Sequence, residues 1–310
     1  MSSTERITNW TVDLLGDLKD RQYFITGGNS GIGYAAAEHL RRANADVLIS
    51  SRSTVKGQEA AATLRQIPSA GAVHVVRLDL ADTESIEQAN KDIRAITDGL
   101  DGVVNNAGIM APPRQASVDC FELQFATNHL GHFLLDKLLF DLVVARSGRI
   151  VAVSSVMHRR AHGINFDDPM FAKGYSPYKA YAHSKLANLM FSLELARQLE
   201  TAKSSVISVC SHPGYSATNL QSTGPTGMLS RASKITNLLA MKPSVGSLSE
   251  VLAVAGREAK NGAYYGPTRL GDSRGPVGES RVSDEAKDEI AARRLWTLSE
   301  ELLGITWTIR

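Results

Sequence analysis

Short β-prone apolar runs recur along this chain, each followed by a stretch with helical spacing, and no other feature restricts the fold so strongly. The runs are QYFIT (22–26), DVLIS (46–50), VHVVRL (73–78), GVVNN (102–106), RIVAVSS (149–155) and SVISVC (205–210). Between them, segments 31–42, 54–66 and 83–97 place apolar residues at helical intervals. Strands alternating with helices form βαβ units, and apolar runs without polar alternation belong to a parallel sheet covered on both faces. The expectation is one α/β domain over residues 1–310: a doubly wound, mainly parallel sheet flanked by helices, with right-handed crossovers.

Composition narrows the function. The net charge of +2 is spread over interspersed signs, with no basic stripe to bind nucleic acid. Cys120 and Cys210 are the only cysteines, which excludes a disulfide framework and a cysteine zinc site and fits a reduced compartment. The first ten residues, MSSTERITNW, lack the apolar core of a signal peptide. The most apolar long stretch, 132–145, is interrupted by Asp136, Lys137 and Asp141 and is too short to span a bilayer. A cytoplasmic protein without a membrane anchor is expected.

Two connections interrupt the rhythm. Residues 156–177 form a polar, Pro- and Gly-containing insert, and 213–243 is rich in Gly, Ser, Thr and Pro with Met228, Leu229, Leu238, Leu239 and Met241 embedded. Both follow strand C-terminal ends, where open α/β sheets bind ligands, so 213–243 is expected to cover a fairly apolar small-molecule substrate.

The first strand runs into TGGNSGIG (26–33), which opens a helix. Glycines there let a pyrophosphate approach the backbone N–H groups of a helix N-terminus. Gly27, Asn29, Ser30, Gly31, Ile32 and Gly33 are therefore candidate cofactor residues. A NAD site wants a carboxylate at the end of the second strand. Here the chain reads ISSRST, with no acid between Val47 and Gln58. Ser51 and Arg52 stand where a guanidinium can pair with a 2′-phosphate, so NADP(H) is preferred and NAD(H) remains possible; a solvated surface arginine is the rival reading. Asp79 and Leu80 end the third strand, where Asp79 either accepts from an adenine amino group or shapes a turn. NNAG (105–108) supplies Asn105, Ala107 and Gly108, small enough for close cofactor approach or simply an Asn/Gly turn.

In YKAYAHSKLAN (178–188), Tyr181 and Lys185 stand at i and i+4 and share a helix face. Tyrosine ordinarily titrates near 10, and a neighbouring ammonium favours its phenolate. Tyr178 has Ala182 four residues on, so it is a candidate for lining the substrate cleft. His129/His132 and His158/His162 have metal-like spacings but no convincing third ligand, and no metal is expected.

These motifs, in this order, resemble the short-chain dehydrogenase/reductase family. The resemblance is carried by TGGNSGIG, NNAG, Asn128 in TNHLGHF, Ser154-Ser155, Tyr181-x-x-x-Lys185 and HPG (212–214), and covers roughly residues 20–270. The insert after strand five, SKLAN, HPGYSATNL (212–220) and RRLWTLSEELLG are similar to a branch containing retinol-dehydrogenase-like and related bacterial oxidoreductases. The resemblance implies a Rossmann-like fold and hydride transfer between nicotinamide and a carbonyl or alcohol, with Tyr181 as the acid or base. It also implies that Lys185 holds the nicotinamide ribose, Asn128 supports a proton relay and Ser155, rather than Ser154, binds the substrate oxygen. Pro213 and Gly214 would then lie beside the nicotinamide, and Thr218 would bind it or cap a helix. Reduction of a C=C bond, or cofactor sensing without turnover, are the competing functions. A C-terminal helix over 284–304 is expected to dock on the domain or on a partner, and helices 121–144 and 178–200 are candidate surfaces for a homo-oligomer.

Overall fold

A computed structural model of the chain describes residues 6–215 and 241–309. Among the described residues, eight strands form one sheet: β1 Gln22–Ile25, β2 Asp46–Ser51, β3 Val73–Arg77, β4 Gly102–Asn105, β5 Arg149–Val153, β6 Ile207–Ser211, β7 Tyr264–Arg269 and β8 Arg274–Glu279. Their order is β3-β2-β1-β4-β5-β6-β7-β8. Neighbours through β7 are parallel, and β8 pairs antiparallel with β7. The winding reverses between β2 and β4, the two neighbours of β1. That switch point opens a crevice at the strand C-terminal ends, where such sheets bind ligands.

Helices cover both faces because each strand is apolar on both sides. On one face Val47, Ile49, Val104 and Val151 pack with Ala36 and Leu40 of α1 (Gly31–Arg42), Leu64 of α2 (Thr54–Arg65) and Val251 and Val254 near the chain end. On the other, Leu48, Val103 and Ile150 pack with Ile86 and Ile93 of α3 (Thr83–Ile96) and with Phe133 and Leu186. Each such side chain contributes about 1.5–3 kcal/mol on full burial, so these two layers fix the sheet between them. Phe133 lies in a helical stretch made of α4 (Leu123–Phe125), a π turn at Ala126–Leu130 and α5 (Gly131–Ala145). Leu186 belongs to α6 (Pro177–Thr201), which starts with proline in its first turn, where a missing N–H costs nothing. Val251 and Val254 lie on α8 (Leu248–Ala255), which follows the short α7 (Pro243–Gly246).

The six expected strands and the doubly wound architecture are present. Strands β7 and β8 are additional. YYGPTR and RGPVGE contain proline and glycine, which weaken a strand signal; Pro267 is accommodated beside a register shift in the hairpin. The C-terminal helix expected over 284–304 is two pieces, a 3₁₀ turn at Glu285–Lys287 and α9 at Glu289–Leu303. Asp288 separates them by capping α9, its carboxylate accepting the Ala291 N–H at 2.9 Å. Beyond α9, Trp307 returns to stack on Trp296 at 4.9 Å and meets Phe133 at 5.3 Å, while Trp296 stacks on Phe191 at 5.8 Å. The chain's own tail thus covers part of the α5–α6 surface. No helix among the described residues is long and apolar enough to cross a membrane.

Candidate active site

The glycine turn is locked to the loop after β4. Gly27 sits at φ +64°, a conformation that disfavours any side chain, and a Cβ there would stand 3.1 Å from that of Ala107. A Cβ on Gly33 would collide with Asn106 Nδ2. That amide donates to the Thr26 carbonyl at 2.7 Å, and the Ala107 N–H donates to Thr26 Oγ1 at 2.9 Å. The residue that bridges the two loops is therefore Asn106, which sequence reasoning did not single out although it stands inside NNAG. Asn105 is turned into the core, where Nδ2 donates to Asp136 Oδ2 at 2.6 Å. Asn29 is half-buried, Ser30 is exposed in extended backbone at the start of α1, and Ile32 is buried. Gly31 has φ +60°.

At the end of β2, Ser50 Oγ accepts the Gly27 N–H at 3.1 Å, tying β2 to the turn. Ser51 is buried, its Oγ accepting the Ser53 N–H at 3.2 Å. Arg52 is exposed, and among the described residues its side chain forms no hydrogen bond or ion pair. Asp79 accepts the Ala81 N–H at 3.0 Å, which is the turn-shaping role; Asp82 is the residue that caps α3. Leu80 is in the core.

Three elements, the π turn, the end of β5 and α6, bring the candidate catalytic groups together. Asn128 lies in the π turn, fully buried. Its Oδ1 accepts the Ile109 N–H at 2.9 Å, and its Nδ2 donates to Ile109 O at 3.0 Å and Ser184 Oγ at 2.9 Å. A π turn inside a helix often marks a functional position, and here it presents one amide to both the β4 loop and α6. Gly108 leaves room beside it: a Cβ there would stand 3.0 Å from Asn128 Oδ1 and 3.5 Å from Lys185 Nζ. Lys185 is buried, with Nζ donating to Val153 O at 2.9 Å and lying 5.9 Å from the Tyr181 ring centre. Ser155 follows β5 and stays half-buried; its Oγ accepts the Met157 N–H at 3.2 Å. Ser154 is buried and donates to Lys185 O at 2.7 Å.

Burial governs the protonation of this group. It pushes the Tyr181 hydroxyl up to about 12, against a lowering hydrogen bond with Ser155. Burial also lowers Lys185, to about 8, with Cys210 and Glu250 opposing. The arrangement presents a protonated phenol next to a hydroxyl, with a labile ammonium and an amide on the adjoining helices. Those groups can hand a proton to an oxygen atom and hold it in place.

Tyr178 is 39% exposed on the first turn of α6. Pro213 follows β6, and Gly214 takes φ +66°, its N–H donating to His212 Nδ1 at 3.2 Å. Thr218 and most of 213–243 lie outside the described residues. The β7–β8 hairpin, unseen in the sequence, closes on this end of the site. Its Asp272 pairs with Arg159 from the turn after Ser155, and its Ser273 carbonyl accepts the Tyr215 N–H at 2.9 Å. His129 bonds Ser299, His132 bonds Thr26 and His158 bonds Ser155 O, each in a separate core contact. Among the described residues, no three His, Cys, Asp or Glu groups are arranged to hold a metal.

The sequence model of the family described as short chain dehydrogenase matches residues 21–227, two thirds of the chain and all of the groups just described up to β6. The chain belongs to that family. As a short chain dehydrogenase it is an oxidoreductase, and it is of the retinol-dehydrogenase-like kind. It is 37% identical to retinol dehydrogenase 12 of Homo sapiens over 285 residues, covering 91% of this chain and 86% of that one. An uncharacterized protein from Mycobacterium Paratuberculosis has a solved structure that is 35% identical with a TM-score of 0.80, covering 97% of this chain and all of that one. A short chain dehydrogenase from Burkholderia cenocepacia in complex with NADP shares the fold at 23% identity and a TM-score of 0.62, covering 80% of this chain and 96% of that one.

Proposed function

We propose that this short chain dehydrogenase interconverts a carbonyl and an alcohol with NADP(H), Tyr181 serving as the general acid or base. One observation carries the reading: Tyr181, Lys185, Ser155 and Asn128 come from three parts of the chain and converge at the strand C-terminal ends beside the glycine turn.

The residues present fit a dinucleotide. The Gly27 and Gly33 positions admit no side chain, and exposed Arg52, without a partner among the described residues, is available to a 2′-phosphate. Gly27, Asn29, Ser30, Gly31, Ile32 and Gly33 would hold the pyrophosphate, Ser51 and Arg52 the 2′-phosphate, Leu80 and Ala107 would line the adenosine side, and Gly108, beside Lys185, would lie toward the nicotinamide ribose. Lys185, Pro213, Gly214 and, outside the described residues, Thr218 would surround the nicotinamide. When bound, the cofactor supplies or accepts the hydride.

The chain's own work is the proton. Tyr181 carries its proton in the resting chain and can donate it to a carbonyl oxygen in the reduction direction, and positive charge beside it, from Lys185 and an oxidised nicotinamide, would favour the phenolate that is left. Ser155 hydrogen-bonds the same oxygen and aligns it with Tyr181, and Tyr178 borders the substrate. Asn128 fixes the π turn and links the β4 loop to α6 through Ser184.

A panel of carbonyls and alcohols assayed with NADPH, NADH and their oxidised forms tests the reading. Turnover of ketones or aldehydes with preference for NADPH is expected. Reduction of an α,β-unsaturated ketone at carbon only, or cofactor binding with no turnover across the panel, would contradict it.

A further inference from the structure

Every polar atom of His212 has a partner, although the proposed reaction gives this residue no task. It follows β6 directly and is fully buried. Its main-chain N–H donates to Tyr265 O at 2.9 Å and its carbonyl accepts from Ser249 Oγ at 2.8 Å, which joins this point to β7 and α8. On the ring, Nδ1 accepts the Gly214 N–H at 3.2 Å, and Nε2 lies 2.9 Å from Ser280 Oγ, just beyond β8.

These contacts settle where the ring proton is. A main-chain N–H can only donate, so Nδ1 is bare. Burial holds the imidazole down at about 3 and keeps it neutral, so its one proton sits on Nε2 and goes to Ser280. The partner of one ring nitrogen thus sets the state of the other. Ser280 is itself fixed, its N–H donating to Tyr264 O at 2.7 Å. The ring has little freedom to move: a Cβ on Gly266 of β7 would collide with Nε2, and the Tyr264 ring centre is 5.0 Å away.

What Nδ1 holds is the turn by which the chain leaves β6. A side-chain acceptor for the N–H two residues on is the contact that Asn or Asp ordinarily makes, often before proline. Here a histidine before Pro213 makes it, and Gly214 takes φ +66°. A Cβ on Gly214 would stand 2.6 Å from Ser273 O and 2.7 Å from the Pro267 ring, so the turn lies tight against the β7–β8 hairpin. The next residue, Tyr215, donates its N–H to Ser273 O at 2.9 Å and accepts the Met241 N–H at 2.8 Å.

We propose that His212, held in its Nε2–H tautomer by Ser280, is a positioning residue that sets the Pro213–Gly214 turn against the nicotinamide end of the cofactor. The proposal rests on the place given to Pro213 and Gly214 in the proposed function. The end of β8 acts on the cofactor site through this one side chain.

Two substitutions set this role against simple packing. His212→Asn keeps an acceptor at the place of Nδ1 but does not reach Ser280. His212→Gln puts its amide at the place of Nε2 and offers Gly214 nothing. Packing favours the Gln variant, which removes less volume; positioning favours Asn. The Asn variant should bind NADPH at least about fivefold more tightly than the Gln variant, which should fall about tenfold below wild type, by fluorescence titration. Equal affinities, or tighter binding by the Gln variant, would overturn the proposal.

The chain without cofactor gives a second readout. 15N NMR, with the His212 signals assigned by their loss in His212→Asn, should show Nε2 protonated and Nδ1 bare in wild type. Gly214 amide exchange should be about tenfold faster in the Gln variant than in the Asn variant. An Nδ1–H tautomer, or equal exchange, overturns the proposal, and the tautomer decides even where a variant folds poorly. Should the tautomer and the exchange be as expected in a chain that binds neither NADPH nor NADH, the cofactor reading fails and the held turn stands.

Discussion

Ser154 Oγ donates to the main-chain carbonyl of Lys185 at 2.7 Å, pinning the end of β5 to the middle of α6. The contact separates the two adjacent serines by chemistry. Ser154 is committed to the scaffold, and Ser155 is left beside Tyr181. Ser155→Ala should lower kcat about 100-fold. Ser154→Ala should cost about 0.5–1.5 kcal/mol of stability, because it removes one buried hydrogen bond from a carbonyl that stays paired within its helix, while kcat falls less than about tenfold. Steady-state rates and denaturant melts of the two variants check this; the reverse pattern would make Ser154 the substrate-facing serine.

Arg52 stands exposed at the end of β2, and among the described residues its side chain has no hydrogen-bond or ion-pair partner. Arg52→Asp should lower the ratio of NADP to NAD specificity by about tenfold or more, through lost pairing and new repulsion of a phosphate. Competition assays with both cofactors measure it. An unchanged ratio would make the arginine a bystander.

Asn106 bonds the Thr26 carbonyl and fills the space against Gly33. Asn106→Ala should loosen the glycine turn and weaken cofactor binding about tenfold, with a buried acceptor unpaired. Fluorescence titration of NADPH reads the change, and wild-type affinity would show that the bridge is dispensable.

Thermal stability should peak near pH 6.5. Burial holds His129, His132 and His212 down at about 3 and His183 at about 4, so all four stay neutral in the folded chain. Their contribution is present above the ordinary histidine value and is lost as pH falls below it toward those folded values. Glu250, raised to about 8, works the other way: its contribution is full below the ordinary glutamate value and is lost as pH rises through 8. Asp136 and Glu122, also raised by burial, act in the same sense. Between those ordinary values the lowered histidines, to which His158 adds in the same sense, outweigh three raised carboxyls; above them the carboxyls dominate. Melting temperatures from pH 4.5 to 9 test the dome, and a flat acid side would contradict it.

The strands of the parallel half were legible because each is a continuous apolar run closed by a turn. Helices α1 to α3 were legible from apolar spacing, and Tyr181 and Lys185 from the i, i+4 rule. The features that were not legible depend on contacts distant in sequence. The π turn at Asn128 arises from one amide bonding both Ile109 and Ser184. The β7–β8 hairpin joins the sheet through β6 and reaches the site through Arg159 and Tyr215, contacts that its own proline- and glycine-containing sequence does not announce. The protonation of Tyr181 follows burial, which a lysine four residues away does not reveal.

Tyr181→Phe is the most direct test of the account. Removing one hydroxyl should cut kcat by about 100-fold or more, with NADPH affinity by fluorescence titration kept within about twofold and the fold unchanged by circular dichroism. Turnover close to wild type in that variant would contradict the assignment of Tyr181 as the proton donor.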